Sequence, residues 1–222
     1  KQYELETNLI SWLLVDASES MKYASGDVSK YDFACRAAAT LGQLLVRQSD
    51  SVGLMTFDSA VRSFLRPASQ PSHLKDLLRL LTVGPGSESS RIGSVLHEAA
   101  DRFNRRGVVM LFSDLLDEPE AILAGLRHLR YRRHEVIVFH VLDGAELDFP
   151  SRQATLFRGL EHLPELLTDP LGVREGYLNE LREYLQAIEL GCRHHQIDYV
   201  LLRTDRDLGL SLAEYLGKRA AR

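Results

Sequence analysis

The residues best suited to chemistry stand where a short apolar run ends. Ile10-Ser11-Trp12-Leu13-Leu14-Val15 gives way abruptly to Asp16-Ala17-Ser18-Glu19-Ser20. A chain turning out of a buried strand can aim alternate side chains to one side, so Asp16, Ser18 and Ser20 are expected to converge on one point. One carboxylate and two hydroxyls make a partial shell for a hard cation. Mg²⁺, which takes six oxygens and usually keeps some waters, is the natural occupant, with Mn²⁺ or Ca²⁺ as alternatives. A further carboxylate and hydroxyl would have to arrive from elsewhere in the chain.

The rest of the sequence supplies the frame. Further apolar runs at Ser51–Phe57, Val108–Phe112, Glu135–Leu142 and Tyr199–Leu202 read as buried strands, and Val61–Leu65 as an edge strand. Between them lie stretches with apolar residues at helical spacing. Helices are expected over Tyr31–Gln48 and Ser72–Leu81, from Ser90 to Arg105-Arg106-Gly107, over Pro119–Arg130, around Val173–Gly191, and over Leu208–Leu216. Continuous apolar strands alternating with helices imply a mostly parallel sheet covered on both faces, an α/β fold with one antiparallel edge strand. The stretch 145–169, with Pro150 and Pro164, breaks this rhythm and reads as a small inserted hairpin within a single domain spanning 1–222.

In such a sheet, ligands bind outside the carboxyl ends of the strands. There the sequence places Asp16 to Ser20, Ser113-Asp114, Asp143, and Thr204-Asp205. Asp143 and Asp205 read as helix caps or surface charges, and Asp58 as part of a tight turn.

Composition narrows the function classes. Among 222 residues, 27 Lys and Arg face 31 Asp and Glu, a formal net charge of −4, and 45% are hydrophobic. That balance suits one globular domain and lacks the basic excess of a nucleic-acid binder. No apolar run is long enough to span a bilayer. Cys35 and Cys192 fall within helical patterns and are expected as separate reduced thiols, which points to a cytoplasmic location. Lys1-Gln2-Tyr3-Glu4 is not patterned as a signal peptide. Without an initiator Met, the chain is expected to be part of something longer.

Asp16-Ala17-Ser18-Glu19-Ser20 after an apolar strand resembles the signature of the von Willebrand factor A-like fold, whose metal-ion-dependent adhesion site joins a DxSxS loop to a Thr from a second loop and an Asp from a third. Val108-Val109-Met110-Leu111-Phe112-Ser113-Asp114 matches the third loop, so the resemblance implies Asp114 as a ligand. Ser90-Arg91-Ile92-Gly93-Ser94 matches the second, with Ser90 where Thr is usual and Ser89 as the alternative donor. The resemblance extends over nearly the whole chain and is closest to the bacterial domain of unknown function 58, through KQYELETNL, HVLDGAELDFP and YVLLRTD. It implies a non-catalytic protein-binding module with Mg²⁺ held by Asp16, Ser18, Ser20, Ser90 and Asp114. It also implies a partner that offers an Asp or Glu to the metal, and an association with a MoxR-type AAA+ ATPase in protein assembly or activation. Tyr23 and Asp117 are expected on the rim, Asp117 with the alternative role of capping the next helix.

Two other readings stand beside this one. A Mg²⁺-dependent phosphoryl-transfer enzyme could use Asp16 as nucleophile, but that chemistry asks for a second Asp two residues on, where Ser18 stands. A structural domain with a vestigial site is the other, supported by Ser90. The histidines read as structural. His134 and His140 are too far apart along their strand to share a metal, and His97-Glu98 lacks the second His of a zinc motif, since position 101 is Asp.

Overall fold

The computed structural model describes residues 9–150, 155–157, 166–168 and 170–221. In chain order the elements are β1 (Ile10–Asp16), α1 (Lys30–Arg47), β2 (Ser51–Phe57), β3 (Val61–Ala68), α2 (His73–Leu81), α3 (Ile92–Arg102), β4 (Val108–Ser113), α4 (Pro119–Tyr131), β5 (Glu135–Leu142), α5 (Gly144–Asp148), β6 (Thr155–Phe157), β7 (Leu166–Thr168), α6 (Pro170–His194), β8 (Asp198–Arg203) and α7 (Leu208–Ala220). A 3-10 turn at Ser20–Lys22 follows the first strand.

Six strands form one sheet in the order β3-β2-β1-β4-β5-β8. All neighbours are parallel except β2 and β3, which pair as an antiparallel hairpin at the edge. The architecture is the expected α/β one: a mostly parallel sheet with helices on both faces. From β1 the chain builds outward to β2 and β3 on one side, then returns to build β4, β5 and β8 on the other. The order therefore reverses between β1 and β4, and the carboxyl ends of these two strands flank the crevice where such sheets bind ligands.

The alternation of side chains along β1 divides the core. Leu13 and Val15 face a buried cluster with Phe33, Ala34 and Leu41 of α1, Leu77 of α2 and Leu212 of α7. Trp12 and Leu14 face another with Val95 and Leu96 of α3, Ile122 and Leu126 of α4, and Ile188 and Cys192 of α6. Both faces of the central strands are thus dry, which is why they read as unbroken apolar runs. On the second face Trp12 stacks on Phe103, with ring centroids 4.0 Å apart.

Helices α3 and α4 approach unusually closely. A Cβ at Gly93 would lie 2.9 Å from the Ala121 carbonyl, and one at Gly125 would lie 2.6 Å from the Leu96 Cβ. Only glycine admits this contact, and the contact sets where the amino end of α3 meets the sheet.

Several boundaries differ from the expected ones. Helix α3 starts at Ile92, not at Ser90, and stops at Arg102, so Arg105-Arg106-Gly107 lies in the loop before β4. The edge strand β3 runs on to Ala68 through Pro67, which an edge position tolerates. The stretch expected as a hairpin from 145 to 169 opens instead with helix α5. Asp143 caps this helix in a reciprocal capping box with Glu146. Beyond it, β6 and β7 pair antiparallel, Thr155 opposite Thr168. The other residues of that stretch after Pro150 lie outside the described ones. Cys35 is half-buried, Cys192 is buried, and both are free thiols.

Candidate functional site

The five residues whose oxygens meet at the reversal point, Asp16, Ser18, Ser20, Ser90 and Ser113, come from three segments far apart in sequence. Asp16 is the last residue of β1 and is fully buried. Its Oδ1 accepts from the Ser18 amide at 2.9 Å, which curls the loop back over the strand end. Its Oδ2 accepts from the Ser113 hydroxyl at 2.6 Å and from the Ser90 hydroxyl at 3.2 Å. The Ser18 and Ser20 hydroxyls lie 3.1 Å apart in a shared hydrogen bond. Asp16, Ser18, Ser20 and Ser90 are thus brought together as expected. Among the described residues, none hydrogen-bonds the Ser89 side chain.

Backbone bonds hold the two contributing loops against each other. The Gly86 amide donates to the Ala17 carbonyl at 2.6 Å, and the Glu19 amide to the Glu88 carbonyl at 3.0 Å. The Arg91 amide reaches the Asp58 carbonyl at 3.3 Å. Asp58 sits in the β2–β3 turn as expected, where its Oδ1 accepts from the Ala60 amide.

The third segment carries Asp114, one residue past β4 and 1% exposed. Asp114 does not bond to Asp16. Its Oδ2 accepts from the Lys30 ammonium at 2.8 Å, and its Oδ1 from the Leu116 amide at 3.3 Å. The Lys30 Nζ also donates to Glu146 Oε1 at 2.7 Å. Behind Asp114, His140 on β5 donates from Nε2 to the Asp114 carbonyl at 2.8 Å, leaving Nδ1 to accept from the Tyr199 hydroxyl. Burial lowers this imidazole to about 4, so it stays neutral and holds that tautomer. The structural role expected for His140 is the one it has.

Leu115 takes the left-handed conformation, with φ of 55°, although it is buried and branched. Such a residue is retained only when its surroundings insist on it. Here the Leu115 amide donates to Ser113 Oγ at 2.9 Å, and its carbonyl accepts from the Tyr184 hydroxyl of α6. Asp117 does not cap α4, whose N-cap is Glu118. Its Oδ2 accepts instead from the Gly93 amide at the start of α3. Tyr23 lies beside the site, its ring 5.7 Å from the Lys30 ammonium.

The electrostatics are asymmetric. Asp16 makes no ion pair among the described residues. Burial, and then the nearby Asp114 charge, push its carboxyl up to about 7. Lys30 has the opposite balance: burial alone would lower its pKa, but Asp114 and Glu146 more than reverse this. Glu146 is itself raised by burial, against the pull of Lys30. Burial also works against the Asp143 carboxylate. Hydrogen bonds from Ser25, the Ala145 amide and Thr204 outweigh it and hold the carboxyl below its usual range. Asp143 is therefore the cap expected and, in addition, a buried junction joining the loop after β1 to the loop after β8.

The donor set is all oxygen, two carboxylates and three hydroxyls besides Ser113, which is the chemistry of a hard cation. Among the described residues no group of three or more His, Cys, Asp or Glu is arranged to hold a metal. A buried carboxylate with no cationic partner is costly, and a cation is what would offset that cost. The residues fit Mg²⁺ on that ground. Sequence reasoning missed Lys30 and Glu146, and placed Ser113 at the carboxyl edge of the sheet without giving it a role. A hydroxyl at a strand end beside Asp114 marks Ser113, whereas nothing in its neighbours marks Lys30 as buried.

The sheet order and edge hairpin are those of a von Willebrand factor A-like fold. The chain belongs to the family described as protein of unknown function DUF58, which it matches over residues 1–183. An uncharacterised protein of Mycobacterium tuberculosis (strain H37Rv) is 24% identical over 225 residues, covering 99% of this chain and 70% of the relative. Among solved structures, the conserved hypothetical protein BatB from Bacteroides thetaiotaomicron superposes with a TM-score of 0.64 at 16% identity, over 96% of this chain and all of that one. The SpRpn10 VWA domain gives 0.51 at 13% identity, over 95% and 94%. An aerotolerance-related membrane protein from Bacteroides fragilis gives 0.57 at 16%, over 92% and 96%. Among the described residues of this chain, no helix is long and apolar enough to cross a membrane.

Proposed function

We propose that the domain is a non-catalytic protein-binding module that uses a divalent cation, Mg²⁺ first, to engage an acidic residue of a partner. The observation that carries this reading is the fully buried Asp16, without an ion-pair partner among the described residues, bonded by the Ser90 hydroxyl and the Ser18 amide at the reversal point of the sheet, with the Ser18 and Ser20 hydroxyls paired in the same loop. Asp16, Ser18, Ser20, Ser90 and Asp114 are the residues that would hold the cation. A cation there supplies a positive position open to a carboxylate from outside. Neutral hydroxyls would form most of its protein shell, so the site would favour an anionic ligand. Leu116, 50% exposed and two residues past Asp114, adds an apolar contact beside it. A phosphoryl-transfer reading needs an acid–base carboxylate two residues after Asp16, where Ser18 stands. The partner proposed from the family resemblance is a MoxR-type AAA+ ATPase or its client.

The test is calorimetric titration of Mg²⁺ and Mn²⁺ into EDTA-stripped protein. A one-site isotherm lost in Asp16→Ala is expected, followed by Mg²⁺-dependent retention of the ATPase that Asp16→Ala also abolishes. Retention unchanged by EDTA and by Asp16→Ala would overturn the proposal.

A further inference from the structure

Lys30 is the first residue of α1, a position where a cation opposes the helix dipole. It is also 1% exposed, in a class of residue almost never buried without partners. Its ammonium is spent on two carboxylates: Asp114 Oδ2 at 2.8 Å and Glu146 Oε1 at 2.7 Å. Glu146 is fixed in turn, because its Oε2 accepts from the Asp143 amide at 2.8 Å within the capping box of α5. The lysine therefore cannot follow Asp114 freely. It is anchored from behind by α5.

We infer that Lys30 is a built-in counter-cation that competes with the divalent metal for Asp114 and so sets the metal affinity of the site, with Glu146 setting how much of Lys30 is left for Asp114. The inference rests on the metal-binding reading above. Its physical basis is charge. Once a metal displaces its proton, Asp16 offers one negative charge and Asp114 a second, and Lys30 cancels part of the second. A divalent cation at Asp16 meets one full carboxylate, one shared with an ammonium, and repulsion from that ammonium. It binds more weakly than two free carboxylates would allow, and once bound it keeps more positive charge to present to an acidic partner. Lys30 is thus a positioning and affinity-setting residue, not a ligand.

The two carboxylates on Lys30 yield variants with opposite expectations. Lys30→Met keeps the length of the side chain and removes its charge, so Mg²⁺ should bind more tightly by about tenfold or more. Glu146→Gln removes the charge that competes for Lys30 and leaves more of the ammonium's charge to Asp114, so Mg²⁺ should bind several-fold more weakly. Titrating MgCl₂ into the wild-type chain and both variants by calorimetry, with melting curves in EDTA to confirm folding, separates the outcomes. Tighter binding in Lys30→Met with weaker binding in Glu146→Gln supports the inference. A wild type that fails to bind beside a Lys30→Met that binds also supports it, while overturning the metal reading for the native chain. A wild type that binds, with a folded Lys30→Met of equal or weaker affinity, overturns the inference and leaves the metal reading intact. Should Lys30→Met not fold, Glu146→Gln decides alone, and unchanged or tighter binding there overturns the inference. No binding by any of the three overturns both.

Discussion

The Ser113 hydroxyl donates to Asp16 Oδ2 at 2.6 Å, tying the last residue of β4 to the last residue of β1. The bond crosses the point where the strand order reverses, so it both closes the sheet end and aims the carboxylate. Ser113 Oγ also accepts from the Leu115 amide, which makes one buried oxygen the hinge between Asp16 and the loop that carries Asp114. Above pH 7, where Asp16 is ionised, Ser113→Ala removes a charge-assisted bond and leaves a buried amide without its acceptor. A loss of about 2–3 kcal/mol in unfolding free energy is expected. Urea denaturation in EDTA reads it, and a loss below about 0.5 kcal/mol would show that the bond contributes nothing net.

The raised Asp16 pKa makes a prediction about pH. Its carboxyl moves from 3.8 to about 7 in the folded chain. Between those values the folded protein keeps a proton that the unfolded chain has lost. The stability this group contributes is therefore full below pH 4 and falls as pH rises to 7. Asp16→Asn has no such proton to lose. In EDTA the variant should match the wild type near pH 4 and exceed it at pH 8, by at most about 4 kcal/mol. Melting curves at the two pH values check this, and a difference between the proteins that does not change with pH would refute it.

Much of this site could be read before the fold was known, and the part that could not has a common cause. Asp16, Ser18 and Ser20 are spaced by the local geometry of a chain leaving a strand, and Asp114 follows an apolar run directly, so neighbours in sequence reveal them. Ser90 was legible through a pattern at the start of a helix, although α3 begins two residues later than that pattern implies. Lys30 was not legible, because its burial depends on Asp114 and Glu146, 84 and 116 residues further along the chain. Asp117 reads as a rim residue or a cap for α4; it is half-exposed, and instead of capping α4 it accepts from the Gly93 amide of α3. The reason is tertiary: the close Gly93–Gly125 approach brings that amide within reach.

Ser90 departs from the Thr of the family pattern by one methyl group. A β-branched side chain holds its hydroxyl in fewer rotamers, so Ser90→Thr should lower the entropy lost when a cation is held. The expected result is a several-fold lower Mg²⁺ dissociation constant with little change in the metal-free melting temperature. Calorimetry on both proteins checks it, and weaker binding by the threonine variant would mean that this hydroxyl is not a ligand.

Tyr184 links α6 to the site through the Leu115 carbonyl. Tyr184→Phe keeps the ring and removes the donor, so the left-handed Leu115 loses one of its restraints. A cost of about 1–2 kcal/mol is expected. Amide exchange should speed up at Leu116 and Asp117 more than in β4. Uniform acceleration across the sheet would instead indicate a global loss of stability.

The site is assembled from parts that lie far apart along the chain. Ser90 bonds Asp16 across 74 residues, and Ser113 bonds it across 97. No short fragment holds the whole donor set, and loops of that length close only as the sheet itself forms. An unfolded chain therefore offers a divalent ion nothing better than scattered carboxylates. The ion's influence would be confined to the finished fold, where it would lengthen the lifetime of the native domain by slowing its unfolding while leaving the rate of refolding unchanged.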